Sequence, residues 1–394
     1  MDELFRYQDI LLKTVNNKFR RFLSEQIAWG ERMIAIKGPR GSGKTTLMLQ
    51  YLKYNVPDKK SALYINVEHP WFLNHGLFYT VENFYKYGGR HIFIDEVHKY
   101  NLWSRELKVI YDGFPNLRIV FSSSSALEIY KGEADLSRRV FTYELPGLSF
   151  REYLKYIHKI SIHKTTLSDI FEHHREIAVE LNRKLQILPL FSNYLQNGYF
   201  PVTRKVSASL YPVYVFNIIN TVLEQDLQFI DGLSAAAVPK LKKLLGIIAE
   251  SAPFEPNISA IASKTGTGRN TVIHFLSLLK RARVLNFLIR DRSGISALQK
   301  PDKIYLENTN FAYALKNNPN VGTVRETFLL NQIINSRNSI SYPDKYDFLI
   351  NDKYLIEVGG KNKKINDKNV FVIKDDIETG AMNVIPLWLF GLLY

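Results

Sequence analysis

Cysteine is absent from the 394-residue chain. That excludes disulfide cross-links, thiolate zinc sites, iron–sulfur clusters and cysteine nucleophiles together. Long apolar runs are missing as well. The longest, Val384 to Tyr394, is far short of the ~20 residues that span a bilayer, and Pro386 interrupts it. The opening Met1-Asp2-Glu3-Leu4 lacks the basic-then-apolar order of a secretory signal. A soluble, cytoplasmic protein with no membrane partner is expected. No segment repeats with a period of roughly 20–50 residues, which excludes solenoids and propellers. Acidic residues are in short supply, 38 Asp+Glu against 52 Lys+Arg, for a formal net charge of +14. The imbalance favours polyanionic partners such as nucleic acid, nucleotide or acidic lipid, although the basic residues are scattered. With 46% hydrophobic and 23% charged residues the composition is globular, and at about 150 residues per domain the length predicts two or three domains.

The first 145 residues alternate short apolar runs with helical patterns. Arg32 to Lys37 is a β-prone run ending at Gly38, and a helical stretch follows from Lys44 to about Tyr54. Ala62–Val67, His91–Asp95 and Arg118–Phe121 read as three further strands. Strands this apolar, separated by helix-length segments, predict an α/β fold with a parallel sheet buried on both faces. Beyond Pro146 the texture changes. Ser149-Phe150-Arg151-Glu152 is a capping box, and residues 150–230 look predominantly helical. Residues 238–292 form a smaller unit. Strand-like runs return at Lys303–Leu306, Tyr346–Ile350, Tyr354–Val358 and Val370–Ile373. The expected division is a phosphate-binding domain over 1–145, a helical lid or linker over 146–235, a small helical domain over 236–298 and a C-terminal α/β domain over 299–394.

The strongest motif is Gly38-Pro39-Arg40-Gly41-Ser42-Gly43-Lys44-Thr45, which fits G-x-x-x-x-G-K-[ST] between a strand and a helix. Glycines let backbone N–H groups curl around phosphate oxygens, and the helix N-terminus adds partial positive charge. Lys44 is expected to reach the β- and γ-phosphates, and Thr45 to ligate Mg²⁺, with Thr46 completing the nucleotide set. Ile92-Phe93-Ile94-Asp95-Glu96 supplies the acidic partner. A buried strand ending in two carboxylates is costly unless something cationic waits at its tip. Asp95 is assigned to Mg²⁺, and Glu96 to the attacking water, as its base. Ser122-Ser123-Ser124-Ser125 follows the next strand, either as a polar loop or with one hydroxyl sensing the γ-phosphate or its water. Arg138-Arg139 is a surface pair or the source of a guanidinium that neutralises transition-state charge, in the same subunit or from a neighbour.

These motifs in this order, followed by Leu148-Ser149-Phe150-Arg151-Glu152-Tyr153-Leu154, resemble a family of prokaryotic AAA-type ATPases. Asn197-Gly198-Tyr199-Phe200-Pro201 and Arg269-Asn270-Thr271-Val272 fit it too. The resemblance implies a P-loop NTPase with an AAA-type αβα sheet, a helical region, a winged helix and a small restriction-endonuclease-like C-terminal domain of unknown function. It implies ATP and Mg²⁺ as cofactors. Arg139 takes the arginine of the family's Gly-Arg position, where Arg138 replaces the glycine.

Two later segments bear on the output. Asn257 to Lys264, a turn at Thr265-Gly266-Thr267-Gly268 and a helix from Arg269 have helix-turn-helix spacing, with Val272, Phe275, Leu276 and Leu279 on one apolar stripe. Arg269, Asn270, Thr271 and His274 occupy the other face, where a recognition helix meets base edges. Leu285–Ile289 reads as a wing strand with Arg290 and Arg292 at its tip, and Lys280, Arg281 and Arg283 as a basic flank. Winged helices in ATPases also serve as lids or protein contacts, so DNA and protein both stay open as partners. In the tail, Glu326, Asp347 and Glu357 resemble the acids of a PD-(D/E)xK nuclease, but Gly359 stands where the lysine belongs. Lys361 shares that strand face and is the expected substitute if Gly359-Gly360 bends the chain. A catalytically inactive fold kept for binding, with Lys361, Lys363, Lys364 and Lys368 as a basic loop, is preferred over an active nuclease. His91, His173 and His174 lack metal-ligand spacing, so Mg²⁺ is the one metal expected.

Overall fold

The computed structural model describes residues 1–123, 136, 138–227, 233–251, 253–290 and 301–394. The chain divides into two compact units: Met1–Gly147 with Gln225–Leu233, and Leu148–Glu224 with Ser234–Tyr394.

The first unit is built on β1 (Met33–Lys37), β2 (Ala62–Asn66), β3 (His91–Asp95), β4 (Arg118–Ser123) and β5 (Phe141–Glu144). They form one sheet in the order β2-β3-β4-β1-β5, and every pairing is parallel. The runs of β1 to β4 are as apolar as a sheet covered on both sides requires. Alternation divides their side chains between two cores. Met33, Ala35, Leu63, Ile65, Ile92, Ile94, Ile119 and Phe121 pack with helices Leu77–Lys86 and Trp103–Gly113. Ile34, Ile36, Tyr64, Phe93 and Val120 pack with helix α1 (Lys44–Asn55) through Leu47, Met48 and Leu52. Each such Leu, Ile or Phe contributes roughly 1.5–3 kcal/mol when fully buried. The fifth strand, Phe141–Glu144, is an addition to the expected four. It is a mostly exposed edge strand without the apolar run that marked the others.

The second unit carries the mixed sheet β12-β11-β10-β9-β8, from β8 (Ile340–Ser341), β9 (Phe348–Ile350), β10 (Tyr354–Gly359), β11 (Val370–Lys374) and β12 (Val384–Pro386). The β10–β11 and β11–β12 pairs are parallel, the other two antiparallel. Helix α2 (Val321–Asn335) lays Phe328, Leu329, Leu330 and Ile333 into a core with Ile356, Ile373, Ile385 and Trp388. The same core takes in Phe150, Phe191 and Tyr194 from the helical stretch that begins at Ser149. Ser149 and Glu152 form the capping box read from the sequence. Helices Val238–Ser251, Ile258–Thr265 and α3 (Arg269–Arg281) precede an antiparallel hairpin of β6 (Leu285–Leu288) and β7 (Lys303–Leu306). Thus Lys303–Leu306, read as the opening strand of the tail, pairs instead with the strand after α3.

Candidate functional site

The loop Gly38–Gly43 joins β1 to the N-terminus of α1, and its backbone demands glycine. Gly38 has φ +153°, and a Cβ there would lie 2.2 Å from the Leu145 carbonyl oxygen. Gly43, which caps α1, sits at φ +98°. Arg21 braces the loop from behind. Its guanidinium donates to the Ser42 carbonyl and, at 2.8 and 2.9 Å, to those of Pro146 and Gly147. Strand order does the rest. Because β4 lies between β1 and β3, the loop, the serines ending β4 and the acids ending β3 emerge along one edge of the sheet.

Asp95 is buried and ringed by hydroxyls. Thr45 donates to Oδ2 at 2.6 Å, Tyr64 to the same oxygen at 2.7 Å, and Ser122 to Oδ1. Burial and the adjacent Glu96 carboxylate push the Asp95 carboxyl up, and the three hydroxyls pull it back. Thr45 and Asp95, the two residues assigned to Mg²⁺, are therefore in direct contact. Hard oxygen donors of this kind suit that ion, and the carboxylate keeps acceptor capacity on Oδ1. Lys44 is also buried, its ammonium donating to the Gly38 and Pro39 carbonyls at 3.0 Å each. Burial pushes its pKa down, while Glu96, Asp95 and Asp226 favour the charged form.

Glu96 adopts the left-handed conformation, φ 57°, which a non-glycine residue enters only at a cost. The turn takes its side chain off the strand axis and leaves buried Oε2 without a hydrogen bond. That oxygen lies 3.5 Å from His98 Nε2. Burial, with Lys99, Lys44 and Arg40 nearby, pushes His98 down to about 3. The imidazole is thus neutral at pH 7, with Nδ1 3.1 Å from the Ser123 hydroxyl.

Of the assigned residues, the structure brings together the loop, Lys44, Thr45, Asp95 and Glu96, with Ser122 and Ser123 between them. Ser124 and Ser125 lie outside the described residues. Arg139 is elsewhere. It precedes β5, whose first residue Phe141 pairs with Ile34 at the start of β1, so it sits at the edge of the sheet away from the loop. There its guanidinium makes a two-point pair with Asp112, both bonds 3.0 Å. Arg138 is exposed beside it. Tyr64, His98, Lys99 and Asp226 went unread in the sequence. Asp226 is the least foreseeable, a nearly fully buried carboxylate 3.4 Å from both Arg40 and Lys99.

The second unit holds its own cluster. Tyr305 donates to Glu326 at 2.8 Å, the Val358 N–H donates to Asp347 at 2.8 Å, and Lys363 pairs with Glu357 at 2.5 Å. The chain does bend after Gly359, where Lys363 N–H donates to the Gly360 carbonyl. The residue delivered is Lys363, not Lys361, and it lies where a Gly359 side chain would project. On α3, Arg269, Asn270, Thr271 and His274 are exposed while Val272, Phe275, Leu276 and Leu279 are buried. Arg290 pairs with Asp302 and Asp344, and Arg292 lies outside the described residues.

Residues 30–154 match the family described as an AAA domain, and residues 188–321 match a domain of unknown function (DUF8612). The parallel sheet, glycine loop and acid-tipped strand of the first unit form a P-loop α/β fold of AAA type. Among solved structures, C. elegans PCH-2 is 15% identical, with 71% of this chain and 66% of that chain covered at a TM-score of 0.26. AMPPCP-bound DnaA from Aquifex aeolicus is 15% identical, with 71% and 88% covered at 0.27. Scores this low describe a partial likeness only. No curated protein matches the chain. No described helix is long and apolar enough to cross a membrane.

Proposed function

We propose that the chain binds ATP with Mg²⁺ and hydrolyses it to ADP and phosphate, coupling turnover to movement of its other domains and acting on or near nucleic acid. The observation that carries the ATPase reading is the Thr45–Asp95 contact of 2.6 Å, with Glu96 next in sequence. The loop amides of Gly38–Thr45 and the Lys44 ammonium would hold the phosphates, and Thr45 and Asp95 would hold Mg²⁺, which neutralises charge on the phosphate oxygens when bound. Glu96 takes the proton of the attacking water. Its Oε2 accepts no hydrogen bond and so has lone pairs to offer, and neutral His98 beside it adds no competing charge. An arginine on the opposite edge of the sheet serves a phosphate only in a neighbouring copy, so Arg139 acts in trans if it acts in catalysis.

The nucleic-acid half of the reading is supported by three helices followed by a hairpin, the arrangement of a winged helix, with a polar exposed face on α3. A second reading, a nucleotide-gated protein-interaction switch with an inactive nuclease-like docking domain, draws on the tail cluster. There each of the three acids already has a protein partner in Tyr305, Val358 N–H or Lys363. An ATPase assay with and without DNA decides. Turnover stimulated by DNA in a salt-dependent way supports the first reading. Unchanged turnover, with a protein partner captured in one nucleotide state alone, supports the second.

A further inference from the structure

Asp226 lies far along the chain from the loop and the acid strand, yet it belongs to the first unit. Its carboxylate contacts Arg40, inside the phosphate loop, and Lys99, three residues past Glu96, at 3.4 Å each. It is 1% exposed, where Arg40 is 36% exposed, so the carboxylate is the inner member of the pair. Electrostatically it couples to both Lys44 and Glu96. Burial favours its protonated form, and the two cations beside it favour the charged one. The set around the loop is thus balanced: Lys44, Arg40, Lys99 and Arg21 against Asp95, Glu96, Asp226 and Glu68, the last 4.0 Å from Lys99.

A Mg-bound triphosphate is still an anion. Adding it to a balanced, largely buried set leaves negative charge uncompensated, which is expensive away from water. One carboxylate must yield its cations. Asp95 is tied by three hydroxyls and Glu96 is needed beside the water, whereas Asp226 is held by the two cations a γ-phosphate near Glu96 would face. The loop amides and Lys44 would hold the diphosphate portion, and ADP lacks the phosphate that would call on the two cations. We propose that Asp226 competes with the γ-phosphate for Arg40 and Lys99, making the site discriminate triphosphate from diphosphate and releasing the Asp226 segment when triphosphate binds. The inference rests on the nucleotide-site reading above. By linkage, whatever draws Asp226 out of the site raises triphosphate affinity by the same factor that triphosphate loosens Asp226.

The test uses the full chain, a non-hydrolysable ATP analogue and ADP, both with Mg²⁺. Asp226→Asn keeps the shape and removes the charge. It is expected to tighten the ATP analogue by at least about fivefold, the lower end of measured couplings, and ADP by less than about twofold. Equal effects on both nucleotides, no effect or weakened binding would overturn the inference. If the wild type binds neither nucleotide, the nucleotide-site reading fails and takes this one with it. Hydrogen exchange on the unaltered protein guards against a misfolded variant. Amides at 224–227 should exchange faster with the ATP analogue than with ADP, and equal rates or added protection with the analogue refute release.

Discussion

Replacing Glu326 by Gln should stabilise the protein at alkaline pH and do almost nothing at pH 4. The carboxyl is mostly buried on α2. Burial, then the Asp347 charge, push its pKa from 4.5 to about 7, against the pull of the Tyr305 hydroxyl and Lys303. An acid whose folded pKa is raised holds its proton in the native state and loses it when unfolded. Stability therefore falls as pH rises from about 4.5 to about 7, and stays lower above that. At ~1.4 kcal/mol per pH unit the loss is about 3 kcal/mol. Gln cannot ionise and can still accept from Tyr305. The assay is denaturant unfolding of wild type and variant at pH 4 and pH 8, taken as a difference so that the first unit cancels. A gap near zero at pH 4 that opens to about 3 kcal/mol at pH 8 is expected. The same gap at both pH values, or a variant less stable at pH 8, would refute the reasoning. Mn²⁺ adds a second reading of the same pair. On the docking interpretation it leaves the gap unchanged, whereas a metal bound among the three acids would narrow it by favouring ionised Glu326.

Lys44→Ala should abolish ATP affinity in a binding titration. Glu96→Gln should keep binding and lose turnover, and an unchanged hydrolysis rate would remove Glu96 as the base. Tyr64→Phe deletes a buried hydrogen bond to a carboxylate and should cost about 1.5–3 kcal/mol of stability in denaturant unfolding, with the nucleotide loop intact. Arg139→Ala should leave the fold unchanged, since its partner Asp112 is exposed. If it acts in trans, mixing Arg139→Ala with Lys44→Ala protein should restore turnover that neither shows alone.

Local features were legible in the sequence and distant ones were not. The loop octet, Asp95-Glu96 and the four apolar strands β1 to β4 announce themselves because each is a short run whose chemistry depends on adjacent residues. The capping box at Ser149 and the buried stripe on α3 were readable for the same reason. Phe141–Glu144 escaped because an exposed edge strand carries no apolar run. Lys303–Leu306 has the pattern of a strand, but pattern does not say which partner it pairs with, and it joined Leu285–Leu288. Lys361 was the natural choice by strand alternation. The turn after Gly359 breaks that alternation and brings Lys363 instead. Tyr64 looks like any core tyrosine, and nothing in the run Glu224-Gln225-Asp226 points toward a loop so far away in sequence.

The chain passes between its two units three times, after Gly147, after Glu224 and after Leu233. Cutting at the first junction would yield a fragment with the whole parallel sheet and every motif of the nucleotide site, yet without the Asp226 carboxylate. Such an excised piece should be less stable than the intact protein and hold triphosphate more firmly, so kinetics measured on it would describe an enzyme whose brake had been left behind.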